Sequence, residues 1–229
     1  MNSKLSILIP VYNEWKTIQE LLTKLLELRV EKEIIVVDDG SNDGTGEILN
    51  STAHPLIRVF KHPVNRGKGA AIRTGLSHCT GDIIIIQDAD LDQDLNLLYQ
   101  LIRPIVQDGA RIVYGSRFLA ERPKMKWTNY LANHFLSFLT RFLYRAKVTD
   151  VETCFKAFAA DVIKSIPLET DGFEFEVEIT AKVLKQSLEI REVPIRQEWY
   201  QENHHKITKL TWVDGVKAIA TLMRYRFKE

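Results

Sequence analysis

Four consecutive isoleucines, Ile83 to Ile86, are followed by an acid at every second position: Asp88, Asp90, Asp92 and Asp94. Successive strand residues face opposite sides of a sheet, so a strand with no polar residue on either side is buried on both. The same unbroken apolar character recurs in LSILIPVY (5–12), EIIVVDDG (33–40), LIRVFKH (56–62) and ARIVYGSR (110–117). Helical patterns separate these runs. Ile18, Leu21, Leu22, Leu25 and Leu26 share one face, GKGAAIRTGLSH (67–78) reads as a glycine-opened helix, and LNLLYQLIRPIV (95–106) reads as another. Strands alternating with helices predict an α/β fold, a mostly parallel central sheet flanked by helices. The 229 residues suit one domain, with residues 1–118 forming one half and 119–229 the other.

Beyond residue 118 the pattern changes. Residues 122–147 read as one long helix with Leu131, Phe135, Phe138 and Phe142 on one face and Asn133, Ser137 and Thr140 elsewhere. A strand is predicted near 154–158, a helix over 175–186, a strand over 188–200 and a closing helix over 211–227. The net charge of +1 gives no general attraction to nucleic acid. The charges are nevertheless uneven. Arg111 to Lys147 carries eight Lys/Arg against Glu121, and Lys206 to Lys228 carries six against Asp214. Two cysteines, Cys79 and Cys154, make no disulfide framework, and no run approaches the roughly 20 apolar residues of a membrane span. With no signal pattern at the start, a cytoplasmic protein is the expectation.

In an open parallel sheet the ligand binds beyond the carboxyl ends of the strands. The polar clusters PVYNE, DDGSNDGT, NRGKGAA, DADLD and GSR all follow strand patterns. Ser41 or Asp43 can cap the helix after the second strand, and Asp94 the helix that begins near Leu95. Gly67-Lys68-Gly69 is a tight helix entry and lacks the spacing of a P-loop, and no GxGxxG follows the first strand. Capping leaves Asp88 and Asp90 unexplained. Residues two apart in an extended segment point the same way, so Asp88, Asp90 and Asp92 can converge. Mg²⁺ takes one or two such carboxylates and completes its shell with water and phosphate.

Together IPVYNE, VVDDGSNDGT, NRGKGAAIRTG, DADLD, VYGSR and DVETCFKAF, in this order, resemble the family 2 glycosyltransferases of the GT-A fold, in particular the polyprenyl- and dolichyl-phosphate sugar synthases. The stretch GFEFEVEIT and the closing helix extend the resemblance to the end of the chain. It implies inverting transfer of a sugar, mannose or glucose, from a UDP- or GDP-linked donor, with Mg²⁺ or Mn²⁺ as cofactor. It further implies that Pro10, Tyr12, Glu14 and Asp39 hold the nucleoside, with Lys68 at the donor. Asp88 and Ala89 span ribose and diphosphate, and Asp90 and Asp92 hold the metal. Arg117 approaches a phosphate or the sugar, or else pairs with Glu121 at the surface.

Lys206 is the implied diphosphate ligand, although Glu202, Asn203, His204 and His205 stand where the family carries an Arg and a Gly. Asp150, Glu152 and Lys156 belong to the acceptor-side motif. A polyprenyl or dolichyl phosphate acceptor is already ionised and needs no strong base. A saccharide or protein hydroxyl would need one, from Asp88, Glu174, Glu176 or Glu178; a solvated acidic face is the other reading of those glutamates. The aromatic helix 122–147 fits peripheral attachment to the cytoplasmic face of a membrane, core packing, or contact with a second copy or a membrane protein. A nucleotidyltransferase would need a glycine-rich basic loop after the first strand, which PVYNEWKT does not supply. A non-catalytic nucleotide-sugar-binding protein is the remaining alternative.

Overall fold

The computed structural model describes residues 3–91, 94–120, 125, 127–196 and 212–228. Seven strands form one sheet: β1 (Leu5–Val11), β2 (Lys32–Asp38), β3 (Ile57–Lys61), β4 (Ile83–Ile86), β5 (Ile112–Ser116), β6 (Lys156–Ala159) and β7 (Arg191–Pro194). Eight helices are described among them: α1 (Ile18–Glu27), α2 (Thr45–Ser51), α3 (Lys68–Leu76), α4 (Leu97–Asp108), α5 (Trp127–Tyr144), α6 (Ala160–Ser165), α7 (Phe175–Lys185) and α8 (Trp212–Phe227). The strand order is β3-β2-β1-β4-β6-β5-β7. β3, β2, β1 and β4 run parallel, β6 is antiparallel to both β4 and β5, and β7 is parallel to β5.

The isoleucine run is explained by the layers on either side. Ile84 and Ile86 join Leu8, Val37 and Tyr114 under α3 and α7, while Ile83 and Ile85 join Ile7, Ile9 and Val36 under α1 and α4. Each fully buried isoleucine contributes about 1.5–3 kcal/mol of hydrophobic stabilisation relative to exposure. No position in β4 can therefore turn polar cheaply. The chain leaves β1 toward β2 and β3 on one side and returns to β4 on the other, which opens a crevice at the carboxyl ends of β1 and β4.

Three details depart from the sequence reading. The strand near 154–158 enters the sheet between β4 and β5 with reversed direction, pairing Ile86 with Lys156. Ser41 and Asp43 are not the N-cap of α2: that place is held by Gly44 at φ +99°. Asp43 Oδ1 instead accepts the Thr45 N–H at 3.0 Å, and Ser41 Oγ accepts the Asn13 N–H at 2.9 Å. Asp94 does serve the entry to α4, two residues later than expected, where its Oδ1 accepts the Asn96 N–H at 2.9 Å.

The long aromatic helix, α5, is turned outward. Leu136, Ser137 and Thr140 are buried, whereas Leu131, Phe135, Phe138 and Phe142 are exposed, Phe142 by 73%. Its neighbour α8 shows Trp212, Val216, Met223 and Phe227 to the outside. The two helices are joined by Tyr144 Oη donating to the Leu222 carbonyl and Arg226 Nε donating to the Leu143 carbonyl, both at 2.8 Å. Among the described residues no helix is long and apolar enough to cross a membrane.

Two helical glycines make opposite predictions. A Cβ on Gly69 would lie 2.3 Å from the Thr170 carbonyl oxygen, whereas one on Gly215 meets nothing within 4 Å. Gly69→Ala should lower unfolding free energy by about 1–3 kcal/mol through this overlap. Gly215→Ala should raise it by up to about 1 kcal/mol through helix propensity. Urea midpoints of the two variants check both signs.

Candidate active site

The first wall of the crevice is built by stitching loops together. The Asn13 side chain accepts the Asn42 N–H at 2.9 Å, and Thr45 Oγ1 accepts the Glu14 N–H at 2.9 Å. Pro10, Tyr12 and Glu14 are thereby held along the segment that leaves β1, with Glu14 also accepting from Thr17 Oγ1 at 3.0 Å. Asp39 is almost wholly buried, and its carboxylate is occupied internally. Oδ1 accepts from His62 Nδ1 at 2.6 Å and the Arg66 N–H at 2.9 Å, and Oδ2 accepts the Gly67 N–H at 2.7 Å. Asp39, the expected nucleoside ligand, thus also shapes the loop between β3 and α3.

That loop ends in Gly67 at φ +97°, where a Cβ would strike the Asp171 carbonyl oxygen. The same carbonyl accepts the Gly69 N–H at 2.7 Å and the Ala70 N–H at 3.2 Å. Two of the donors that a helix N-terminus offers to phosphates are therefore taken by the chain itself. The tight entry to α3 instead aims Lys68. Its ammonium lies 2.8 Å from Asp88 Oδ1 and 2.8 Å from Glu176 Oε1. Burial alone would lower the Lys68 pKa, but Asp88 and Glu176 outweigh it and hold the ammonium well above its usual range.

Glu176 passes the arrangement on, since its other oxygen accepts from Lys156, a fully buried residue. Lys156 Nζ also donates to the Val151 carbonyl at 3.1 Å and to the Thr153 carbonyl, and it sits 4.9 Å from the centre of the Tyr114 ring. The result is an alternating row, Asp88–Lys68–Glu176–Lys156, that ties β4, α3, α7 and β6 together. Cys154 lies beside it; burial first, and the Asp88 charge next, push its thiol far above the usual range.

Glu121 lies outside the described residues, and Arg117, just past β5, has its side chain largely buried. Its Nε and Nη2 donate to the two oxygens of Asp150, both at 2.7 Å, and its backbone N–H donates to Asp150 Oδ2 at 3.0 Å. Burial opposes the Arg117 charge, and Asp150 restores it. Asp150 is itself fully buried, and its N–H donates to Glu192 Oε1 at 3.0 Å. Glu192 and Asp171 were not foreseen from the sequence. Glu192 sits in an alternating strand pattern whose polar positions read as solvent-facing, and a backbone carbonyl leaves no side-chain signal at all.

The acids of α7 do not form a solvated face. Glu176 and Glu178 are both buried. Glu178 lies away from the row and closes a separate knot. It accepts the Glu169 N–H at 2.7 Å, the Thr170 N–H at 2.8 Å, Lys182 Nζ at 2.6 Å and Tyr225 Oη at 3.0 Å. It is thus a link between α7, α8 and the loop that caps α3, and is no candidate base. Glu174 is half-buried, at the N-cap of α7.

Asp88 and Asp90 follow β4 at the crevice, with Ala89 buried between them. Two carboxylates suit Mg²⁺ or Mn²⁺, which use few protein ligands and keep positions for phosphate oxygens. Among the described residues no cluster of three His, Cys, Asp or Glu could hold a metal. Asp92, Lys206, His204 and His205 lie outside the described residues. The carboxylate pair therefore fits a metal shared with a diphosphate and does not fit an all-protein cage.

The sequence matches the profile described as Glycosyl transferase family 2 over residues 6–166. It is 31% identical over 213 residues to the UDP-N-acetylglucosamine–dolichyl-phosphate N-acetylglucosaminyltransferase of Methanococcus voltae, covering 83% of this chain and 84% of that one. It is 28% identical over 253 residues to the dolichyl-phosphate beta-glucosyltransferase of Saccharomyces cerevisiae, covering 97% of this chain and 74% of the relative. Among solved structures, glucosyl-3-phosphoglycerate synthase from Mycobacterium tuberculosis, in complex with Mn²⁺, uridine diphosphate and phosphoglyceric acid, superposes with a TM-score of 0.76. It is 22% identical, with 98% of this chain and 79% of that chain covered, which is a likeness of fold. A crevice at the ends of β1 and β4, acids directly after β4 and this match across most of the chain agree: the protein belongs to glycosyl transferase family 2 and is a glycosyltransferase of the GT-A fold.

Proposed function

We propose that the enzyme transfers a sugar, with inversion, from a nucleoside diphosphate sugar to a polyprenyl or dolichyl phosphate at a membrane surface. The observation that carries the acceptor class is the second apolar face of α5: Leu136, Ser137 and Thr140 pack inward, while Leu131, Phe135, Phe138 and Phe142 are exposed along the outside. A helix of a water-soluble protein normally presents polar residues there. Exposed rings flanked by Arg141, Arg145 and Lys147 suit shallow burial at a lipid surface bearing anionic headgroups. The two relatives named above act, by name, on dolichyl phosphate, which supports the same reading.

In this reading residues 1–118 bind the donor and residues 119–229 present the acceptor. Pro10, Tyr12 and Glu14 line the nucleoside side, and Asp39 supports them through the loop it orders. A phosphate oxygen of the acceptor attacks the anomeric carbon as the bond to the diphosphate breaks, and the electron pair leaves with the diphosphate. Asp90 and Asp92 would hold Mg²⁺ or Mn²⁺, which would supply Lewis-acid stabilisation of that leaving group. Lys206 adds a positive charge to the same group. Lys68 fixes Asp88, and Arg117 with Asp150 and Lys156 with Glu176 form the acceptor-side wall. The acceptor is a phosphate that is ionised at neutral pH, so no strong base is required.

Purified protein incubated with Mn²⁺, short-chain polyprenyl phosphate and a panel of radiolabelled UDP- and GDP-sugars should place label in the organic phase with one donor. Asp90→Asn should reduce that rate by about 100-fold or more while leaving the protein folded. Label in water-soluble saccharide acceptors and none in lipid would contradict the acceptor class.

Membrane attachment has its own readout. Phe138→Asp and Phe142→Asp should each weaken sedimentation with anionic vesicles by about tenfold or more, since each ring buries apolar surface worth roughly 1.5–3 kcal/mol. Unchanged partitioning in the double variant would remove the lipid role of α5.

A further inference from the structure

Among the described residues the site holds more carboxylates than it has cations to pair them. Asp88, Asp150, Glu152 and Glu176 face Lys68, Lys156 and Arg117. Each cation is already committed: Lys68 to Asp88 and Glu176, Lys156 to Glu176, and Arg117 by both ends of its fork to Asp150. Glu152 is the carboxyl left over. Its Oε1 is fully buried and, among the described residues, has neither a hydrogen-bond partner nor an ion pair.

The groups acting on it come from every side. Glu176 faces it from α7, Lys156 from β6, Arg117 from the end of β5 and Asp150 from its own segment. One oxygen of an ionised carboxylate in such a place would be buried without a partner, beside two other carboxylates. Keeping the proton avoids that cost below about neutral pH. Burial first, and then Glu176, push the carboxyl up to about 7, with Lys156 and Arg117 opposing them.

Its location gives the proton a use. β6 is antiparallel to β4 and begins opposite Ile86, so residues 150–155 lie at the carboxyl end of β4, on the side of Asp88. We infer that Glu152 is held as a neutral carboxylic acid and that its O–H donates a hydrogen bond to the phosphate of the acceptor. A protonated carboxyl is a donor, whereas an ionised one is only an acceptor and repels a phosphate dianion. The proton stays on Glu152 through the transfer. This role rests on the phosphate-acceptor reading above.

Two measurements separate the inference from that reading. The first uses the unliganded protein. The unfolded carboxyl titrates near the ordinary value of 4.5 and the folded one at about 7. The native state therefore holds the extra proton between these values. The stabilisation is fully present below the unfolded value and is lost as pH rises through the folded one. Thermal midpoints of the wild type should accordingly fall from pH 4.5 to 7 relative to Glu152→Gln, which cannot ionise. If the two proteins keep a constant difference across that range, Glu152 is not protonated and the inference is overturned, even where lipid is labelled.

The second measurement is KM for short-chain polyprenyl phosphate against pH. The wild-type KM should rise by about tenfold or more as pH climbs from about 7 to about 9, as the donor is lost and replaced by a charge that repels the phosphate. Glu152→Gln keeps an N–H donor and should lack that limb. Glu152→Ala should raise KM by about tenfold below pH 7, the effect of one lost hydrogen bond to a charged group. A wild-type kcat that climbs through pH 7, together with an inactive Gln variant, would make Glu152 a base and overturn the donor role. A displaced titration in the first experiment with no lipid phosphate labelled by any donor would leave the proton in place and overturn both the hydrogen bond and the acceptor reading.

Discussion

Lys68 is the point on which the site turns. Its ammonium is shared by Asp88, from the strand that ends at the crevice, and Glu176, from a helix 108 residues away in sequence. Buried ion pairs are poor contributors to stability, because desolvating both charges offsets most of their attraction. Their value lies in what happens when one partner is lost: a buried charge is stranded, which costs about 3–5 kcal/mol. The row from Asp88 to Lys156 thus penalises any arrangement in which β4, α3, α7 and β6 are displaced from one another. Asp88 is fixed before any ligand arrives, so little free energy of binding is needed to organise it.

The reversal of β6 makes this row possible. If β6 ran parallel to β4, the segment from Asp150 to Phe155 would leave from the far edge of the sheet. Running antiparallel, with Lys156 opposite Ile86, it delivers that segment to the end where β4 stops. Asp150 then meets Arg117 at the end of β5, and Lys156 meets Glu176. A local change in strand direction is therefore what joins the segment after α5 to the end of β4.

The sequence reading succeeded where one residue type had one physical outcome. Ile83 to Ile86 had to be buried on both faces, and Asp88, Asp90 and Asp94 after them had to lie beyond the sheet. It failed where the outcome depended on a partner far along the chain. Glu176 and Glu178 are two residues apart on one helix and look alike; one faces Lys68 and Lys156, the other Lys182 and Tyr225. Asp39 pairs with His62 and Arg117 with Asp150, partners that the local sequence does not name. In α5 the stripe of Leu131, Phe135, Phe138 and Phe142 was legible as a face. Whether that face turns inward is decided by how Leu136, Ser137 and Thr140 pack, which periodicity cannot say.

The capping of α3 by Asp171 has a consequence for the charge of the site. In dinucleotide-binding folds the N-terminus of a helix and its exposed N–H groups help neutralise a diphosphate. Here Gly69 and Ala70 donate to a carbonyl, so α3 offers little to an anion. Among the described residues the side chains do not compensate, because Lys68, Lys156 and Arg117 are already paired with Asp88, Glu176 and Asp150. A nucleoside diphosphate entering such a crevice meets no uncommitted cation of this row. It can bind there only with positive charge brought from outside the row, and the acids after β4 are the groups that would hold a divalent cation. The pairing that rigidifies the site thus leaves the charge of a diphosphate to be met from outside the row, the role that a divalent cation at the acids after the isoleucine strand would fill.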